Sequence, residues 1–264
     1  MAWWYSQTRL IFPGAVTRGR PEAALPPGAD CEVVQLLARD GTRIVGRFGV
    51  APAPGAQVTS GTGAPLTVAF FCGNASCIAQ NDDEFSRFRR LGCNAMMADY
   101  AGFGLSGGVP SEGGCYATAD AVYDHLVGRR GIDPNRIVLA GRSLGAAVAI
   151  DLASRRPTAG LIAVSPFTSM YAMARRTRPW WPTRMLLRHH FDNLAKIPSV
   201  ACPILFIHGS DDDFVAPGMA DVLAASARSR VERLAIPSGN HRTVMQADEE
   251  LLWAGIAAFL GTLR

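Results

Sequence analysis

A strand, a sharp turn and a helix are written in sequence into residues 136–153, RIVLAGRSLGAAVAIDLA. Residues 137–140, Ile-Val-Leu-Ala, show no polar alternation, the pattern of a strand covered on both faces in a parallel sheet. An alanine-rich run with helical spacing follows. Between them stands Gly141-Arg142-Ser143-Leu144-Gly145, a G-x-S-x-G, which in a strand-turn-helix context is the pattern of a nucleophile elbow. The turn forces the serine into a strained backbone, and a side chain at either glycine would collide with the neighbouring strand or helix.

The same alternation extends along most of the chain. Residues 31–37 and 42–50 read as strands around an Asp40-Gly41 hairpin turn, and 52–65 as a Gly/Pro/Ser/Thr-rich loop. Then come strand 66–71, helix 76–91, strand 94–98, helix 113–127, the elbow, and short buried strands at 161–164 and 204–207. Helix 216–227, strand 231–236 and an amphipathic helix 248–260 close the series. This order predicts an α/β fold with a mostly parallel central sheet, an antiparallel N-terminal hairpin and helices on both faces. Residues 167–200 are too long for an ordinary strand-to-helix connection and read as a small cap insertion over the strand ends. With no repeat and no dividing linker, residues 1–264 read as one domain.

With 264 residues and 48% hydrophobic content, the chain can bury a full core. Its net charge of +4 is spread without a basic block, so no nucleic-acid partner is expected. Six cysteines include no C-x-x-C and read as reduced, buried apolar groups, which favours a cytoplasmic setting. The N-terminus fails as a signal peptide, and no run reaches the roughly 18 apolar residues of a membrane span. Trp3, Trp4 and Tyr5 are compatible with weak peripheral membrane contact, although such a cluster more often packs on its own domain.

A serine hydroxyl needs a base within reach, a carboxylate behind that base, and donors for the developing oxyanion. The segment CPILFIHGSDDDFV ends a buried strand and puts Asp211, Asp212 and Asp213 at its carboxyl end, where open α/β sheets build their sites. His241 lies in a Gly-containing loop after the last strand. The order Ser143, an Asp, His241 differs from the orders of the two other well-known serine-protease folds.

Ordered motifs strengthen this reading. Cys72-Gly73-Asn74-Ala75 stands where H-G-N-A is usual, Tyr100-Ala101-Gly102-Phe103-Gly104-Leu105-Ser106 parallels Y-R-G-Y-G-x-S, and Pro110-Ser111-Glu112-Gly113, GIDPNRIVLAGRSLG, SPFTSM, FDNL, CPILFIHGSDDDFV and GNH follow. Over residues 30–260 the sequence resembles the α/β-hydrolase superfamily, and within it the Bem46-like group of serine hydrolases, which includes acyl-protein depalmitoylating relatives. The resemblance implies Ser143 as nucleophile, His241 as general base and Asp212 as the acid. It also implies backbone amides of Leu144 and Asn74 as the oxyanion hole. Two departures stand out: Cys72 in place of His, which removes the usual loop support, and Ala101 in place of Arg.

Other patterns carry competing meanings. Residues 102–107 satisfy G-x-G-x-x-G with Asp120 downstream, but no helix opens at the glycines, so no dinucleotide cofactor is expected. His189-His190 with Asp192 lack a third ligand of suitable spacing and read as a solvated cap face, with no metal. Arg175, Arg176 and Arg178 beside Trp180-Trp181 fit an anionic surface or a cap covering its own apolar groups. Arg142 fits either a pocket mouth that favours anions or a structural ion pair. The function expected is hydrolysis of esters or thioesters of a small-molecule or acylated substrate. A peptidase, a lactone hydrolase and a non-catalytic binding protein on the same fold remain as alternatives.

Overall fold

The computed structural model describes residues 2–25, 31–52, 64–177 and 186–263, the side chains of residues 2–6 and 177 excepted. Eight strands form one sheet: β1 (Cys31–Leu37), β2 (Arg43–Gly49), β3 (Thr67–Phe71), β4 (Asn94–Ala98), β5 (Ile137–Arg142), β6 (Gly160–Val164), β7 (Ile204–Gly209) and β8 (Val231–Ile236). Their spatial order is β1-β2-β4-β3-β5-β6-β7-β8. The β1–β2 and β2–β4 pairs are antiparallel and every other pair is parallel.

Apolar runs without alternation produce strands buried on both faces. Ala69, Phe71 and Leu139 enter one core, while Val68, Phe70, Val138 and Ala140 enter the other. Helices α3 (Glu112–Asp124) and α4 (Leu144–Ala153) cover the first face. Helix α2 (Asp82–Arg90) and the C-terminal α8 (Glu249–Gly261) cover the second through Phe85, Phe88, Trp253 and Phe259. Other α-helices among the described residues include α1 (Ala2–Ile11), α5 (Met170–Thr177), α6 (Asn193–Lys196) and α7 (Gly218–Ser226).

Most boundaries lie within one or two residues of the sequence reading, and three differences stand out. The helix expected from residue 76 opens as a 3-10 turn, Ile78–Asn81, and becomes α-helical only at Asp82. Helix α3 starts one residue early because Ser111 caps it, its Oγ accepting from Gly114 N at 2.9 Å, and it ends in a π turn over His125–Arg129. The N-terminal segment is helical although its pattern gave no such signal. Among the described residues no helix is long and apolar enough to cross a membrane.

Candidate active site

Ser143 links β5 to α4 with φ 54° and ψ −112°, a conformation that costs a non-glycine residue on the order of 1–3 kcal/mol. Its N–H donates to Val164 O on β6 at 2.9 Å, which pins the turn to the sheet. A β-carbon on Gly141 would lie 2.2 Å from Gly145 O, and one on Gly145 would lie 1.9 Å from Phe71 O. Both obstacles are backbone, so only glycine permits β3, β5 and α4 to converge here.

His241 sits between β8 and α8, with Nε2 3.0 Å from Ser143 Oγ and Nδ1 2.9 Å from Asp212 Oδ2. Of the three consecutive carboxylates, Asp212 is the one whose side chain is fully buried and reaches the ring. Its Oδ1 accepts from Phe214 N at 3.1 Å and Val215 N at 2.7 Å. Its Oδ2 also lies 3.3 Å from His208 Nε2. Burial alone would raise its proton affinity, but the hydrogen bonds from His208, His241 and Val215 outweigh that and hold the carboxyl well below the usual carboxylate range. An ionised Asp212 accepting from Nδ1 leaves Nε2 unprotonated, able to accept the serine proton.

The two loops that carry these groups are tied to each other. Asp211 N donates to Gly239 O at 3.0 Å, and Ser238 N donates to Ser210 Oγ at 2.9 Å. Asn240 Oδ1 accepts from Arg242 N and Thr243 N, fixing the turn around the histidine. Asp211 and Asp213 are exposed. Phe214 was not singled out in the sequence. Its ring centroid lies 4.9 Å from that of His241 while 54% of the residue stays exposed, so it forms one wall of the approach to the imidazole. Its place directly after the aspartates was the available signal.

Leu144 is the first residue of α4, where helix geometry supplies no carbonyl for its N–H. Asn74 follows β3 in a turn, half-buried. The support that a histidine at position 72 would give comes from elsewhere: Tyr100 Oη donates to Cys72 O at 2.8 Å, and Asn74 Nδ2 donates to Ile11 O at 2.9 Å. Burial, then the carboxylates of Asp99 and Glu84, push the Cys72 thiol well above its ordinary range, so it stays a protonated packing group. Arg142 turns beneath this loop. A β-carbon on Gly73 would sit 3.7 Å from its Nε and Nη2, and its charge acts on buried Glu84 and Cys72.

The family described as serine aminopeptidase, S33, matches residues 65–196. An uncharacterized Mycobacterium tuberculosis protein, Rv2307c, is 35% identical over 97% of this chain and 88% of its own length. The Arabidopsis thaliana alpha/beta hydrolase domain-containing protein WAV2 is 34% identical over 74% of this chain and 69% of its own. The chain belongs to the α/β-hydrolase superfamily. Among solved structures, the Pyrococcus furiosus esterase Pf2001 shares the fold with a TM-score of 0.71 at 18% identity, over 90% of this chain and 96% of that one.

Around the site of this α/β-hydrolase, the described parts of 167–200 are held down by a polar relay. Glu112 accepts from His190 N at 2.5 Å, from Phe191 N at 2.8 Å and from Tyr116 Oη at 2.8 Å. Lys196 Nζ donates to Tyr116 Oη at 2.7 Å and pairs with Asp151 at 2.8 Å. The Glu112 of the Pro-Ser-Glu-Gly motif is thus an anchor. His189 corrects the expectation of a solvated face: it is buried, its Nδ1 accepts from Glu112 N at 3.3 Å, and Phe12 packs on its ring. Asp120 is engaged by Arg155 and Arg156. Arg176 donates to Asp213 O at 3.3 Å, stapling α5 to the turn that carries the carboxylates, while Arg178, Trp180 and Trp181 lie outside the described residues. Among the described residues no group of His, Cys, Asp or Glu is arranged to hold a metal.

Proposed function

We propose that this chain is a cofactor-independent serine hydrolase that cleaves carboxylic esters or thioesters through an acyl-enzyme. The observation that carries this reading is the unbroken chain of contacts from Ser143 Oγ to His241 at 3.0 Å and from His241 to Asp212 at 2.9 Å, on a strained elbow. In this reading His241 Nε2 takes the Ser143 proton as Oγ attacks the acyl carbon. The amides of Leu144 and Asn74 receive the developing oxyanion, and His241 returns its proton to the leaving group. Water activated by the same imidazole then breaks the acyl-serine bond and releases the acid. Asp212 orients the ring and stabilises the imidazolium.

The reading treats the chain as one domain with residues 167–200 as a small cap, assigns it to the Bem46-like group, and puts its work in the cytoplasm, where its six free cysteines would stay reduced. A fluorophosphonate probe should label the protein, and Ser143→Ala should abolish both labelling and turnover. Full esterase activity in Ser143→Ala would exclude the assignment, and an unlabelled parent protein would favour a binding module. The serine aminopeptidase description favours a second reading, amide cleavage. Rates on p-nitrophenyl esters of graded length, acyl-thioesters and aminoacyl anilides separate the two.

A further inference from the structure

The segment from Gln7 to Gly19 touches the oxyanion loop on one side and the insertion on the other. Gly14 N donates to Asn74 O at 2.8 Å, and Asn74 Nδ2 donates to Ile11 O at 2.9 Å, so residue 74 is gripped through both its main chain and its side chain. The approach is as close as the chemistry allows: a β-carbon on Gly14 would lie 2.8 Å from Asn74 O and 2.5 Å from Phe103 Cε1. Further along the arm, Thr17 Oγ1 accepts from Gly104 N at 3.0 Å, and Gly19 N donates to Gly104 O at 2.8 Å.

Toward the insertion, buried Gln7 donates to Leu186 O at 2.7 Å and accepts from Arg188 N at 3.2 Å. Phe12, 1% exposed, packs edge-on against His189 with ring centroids 5.0 Å apart, and against Phe103 at 6.4 Å. The arm therefore spans two parts of the molecule far from it in sequence.

We propose that this N-terminal arm is a working part of the oxyanion hole, with the Asn74 side chain and Gly14 acting as positioning residues that aim the Asn74 N–H. The proposal rests on the serine-hydrolase reading. The peptide unit joining Gly73 to Asn74 lies between two anchors: Tyr100 Oη holds Cys72 O at 2.8 Å on one side, and the arm holds Asn74 on the other. Loss of either grip frees the peptide plane to rotate. Removing an oxyanion donor outright costs about 10²–10³ in kcat, and a misplacement of about 1 Å costs up to about 10², so loosening the grip should cost about 10–100-fold. Substrate binding in the ground state does not use the oxyanion geometry, so KM should change little.

The test uses the full chain and active-site titration with a fluorophosphonate, so that kcat refers to competent sites only. Asn74→Ala keeps the backbone N–H and removes the clamp. Gly14→Ala keeps the Asn74 side chain and pushes on its carbonyl. Both should lower kcat about 10–100-fold on a short p-nitrophenyl ester with KM within about threefold. Their affinity for a trifluoromethyl ketone, whose serine adduct carries an oxyanion, should fall in parallel with kcat/KM, a correlation that a loss of folded protein would not produce. Asn74→Asp, isosteric but unable to donate to Ile11 O, should resemble Asn74→Ala. If the parent enzyme is active and labelled while the Asn74 and Gly14 variants keep kcat and ketone affinity within twofold, the arm is not part of the hole. If Ser143→Ala retains activity, the underlying reading fails instead.

Discussion

Replacing Asp212 with asparagine keeps the shape of the side chain and removes its charge. The carboxylate now meets Phe214 N at 3.1 Å and Val215 N at 2.7 Å through one oxygen, and His241 Nδ1 at 2.9 Å and His208 Nε2 at 3.3 Å through the other. The two backbone amides cannot turn away, so asparagine must present its carbonyl to them and its NH2 to the imidazoles. A donor facing Nδ1 drives the His241 proton onto Nε2, which then faces Ser143 with a hydrogen where an acceptor is needed. The same change in a serine-protease triad lowers kcat about 10⁴-fold, and about 5.5 kcal/mol is expected here at 1.36 kcal/mol per tenfold. The fold should lose less, about 1–3 kcal/mol, because His208 Nε2 keeps Val215 O at 2.9 Å. Initial rates on a p-nitrophenyl ester, normalised by thermal unfolding to the folded fraction, separate the two effects. Asp211→Asn and Asp213→Asn, on exposed neighbours, should leave turnover unchanged. If Asp212→Asn fell less than tenfold, or if Asp211→Asn matched it, the assignment of the buried carboxylate would be wrong.

Arg142→Ala should slow neutral and anionic esters by the same factor, about tenfold, because its guanidinium lies under Gly73 and its charge acts on buried Glu84; a loss confined to anionic esters would return that charge to the pocket mouth. Tyr100→Phe leaves the buried Cys72 carbonyl without its 2.8 Å donor, and a destabilisation of about 1–3 kcal/mol in chemical denaturation should accompany a lower kcat; unchanged values for both would show that the loop needs no such support. Asp212 has a depressed folded-state pKa, so its contribution is present above the unfolded aspartate range near about 4 and is lost as pH falls through the folded value. The stability gap between the parent and Asp212→Asn should therefore shrink as pH falls below about 4. A gap that widened as pH fell below about 4 would contradict the sign of that shift.

Much of the sheet could be read directly because its physics is local. Runs such as Ile137–Ala140 and Ile204–Ile207 lack alternation since helices cover both faces, and each appears as an inner strand. The elbow was equally legible, because the steric demand at Gly141 and Gly145 falls within five residues. What escaped depends on partners distant in sequence. Helix α1 carries no clear apolar stripe, and its described side chain Gln7 is placed by Leu186, 179 positions away. His189 and His190 look alike in sequence, yet one is buried against Phe12 and the other exposed, because Glu112 grips the backbone between them. Asp212 did not escape, since the resemblance singled it out, but its residue type does not separate it from its two neighbours; the contact with His241, 29 positions away, does.

The cysteine at position 72 shows how such distant contacts change the meaning of a motif. A histidine there would stiffen the loop after β3 from within, and its absence reads in sequence as a loss. Here the loop is held from outside, by Tyr100 after β4 and by Ile11 and Gly14 of the arm. Once those contacts fix the backbone, position 72 has only to fill space in the apolar core of the second face. A small thiol kept protonated by burial does so without adding a charge beside the site. Rigidity at a catalytic loop belongs to the whole set of contacts on its peptide planes, so one missing motif residue is weak evidence against activity when two other segments supply the anchors.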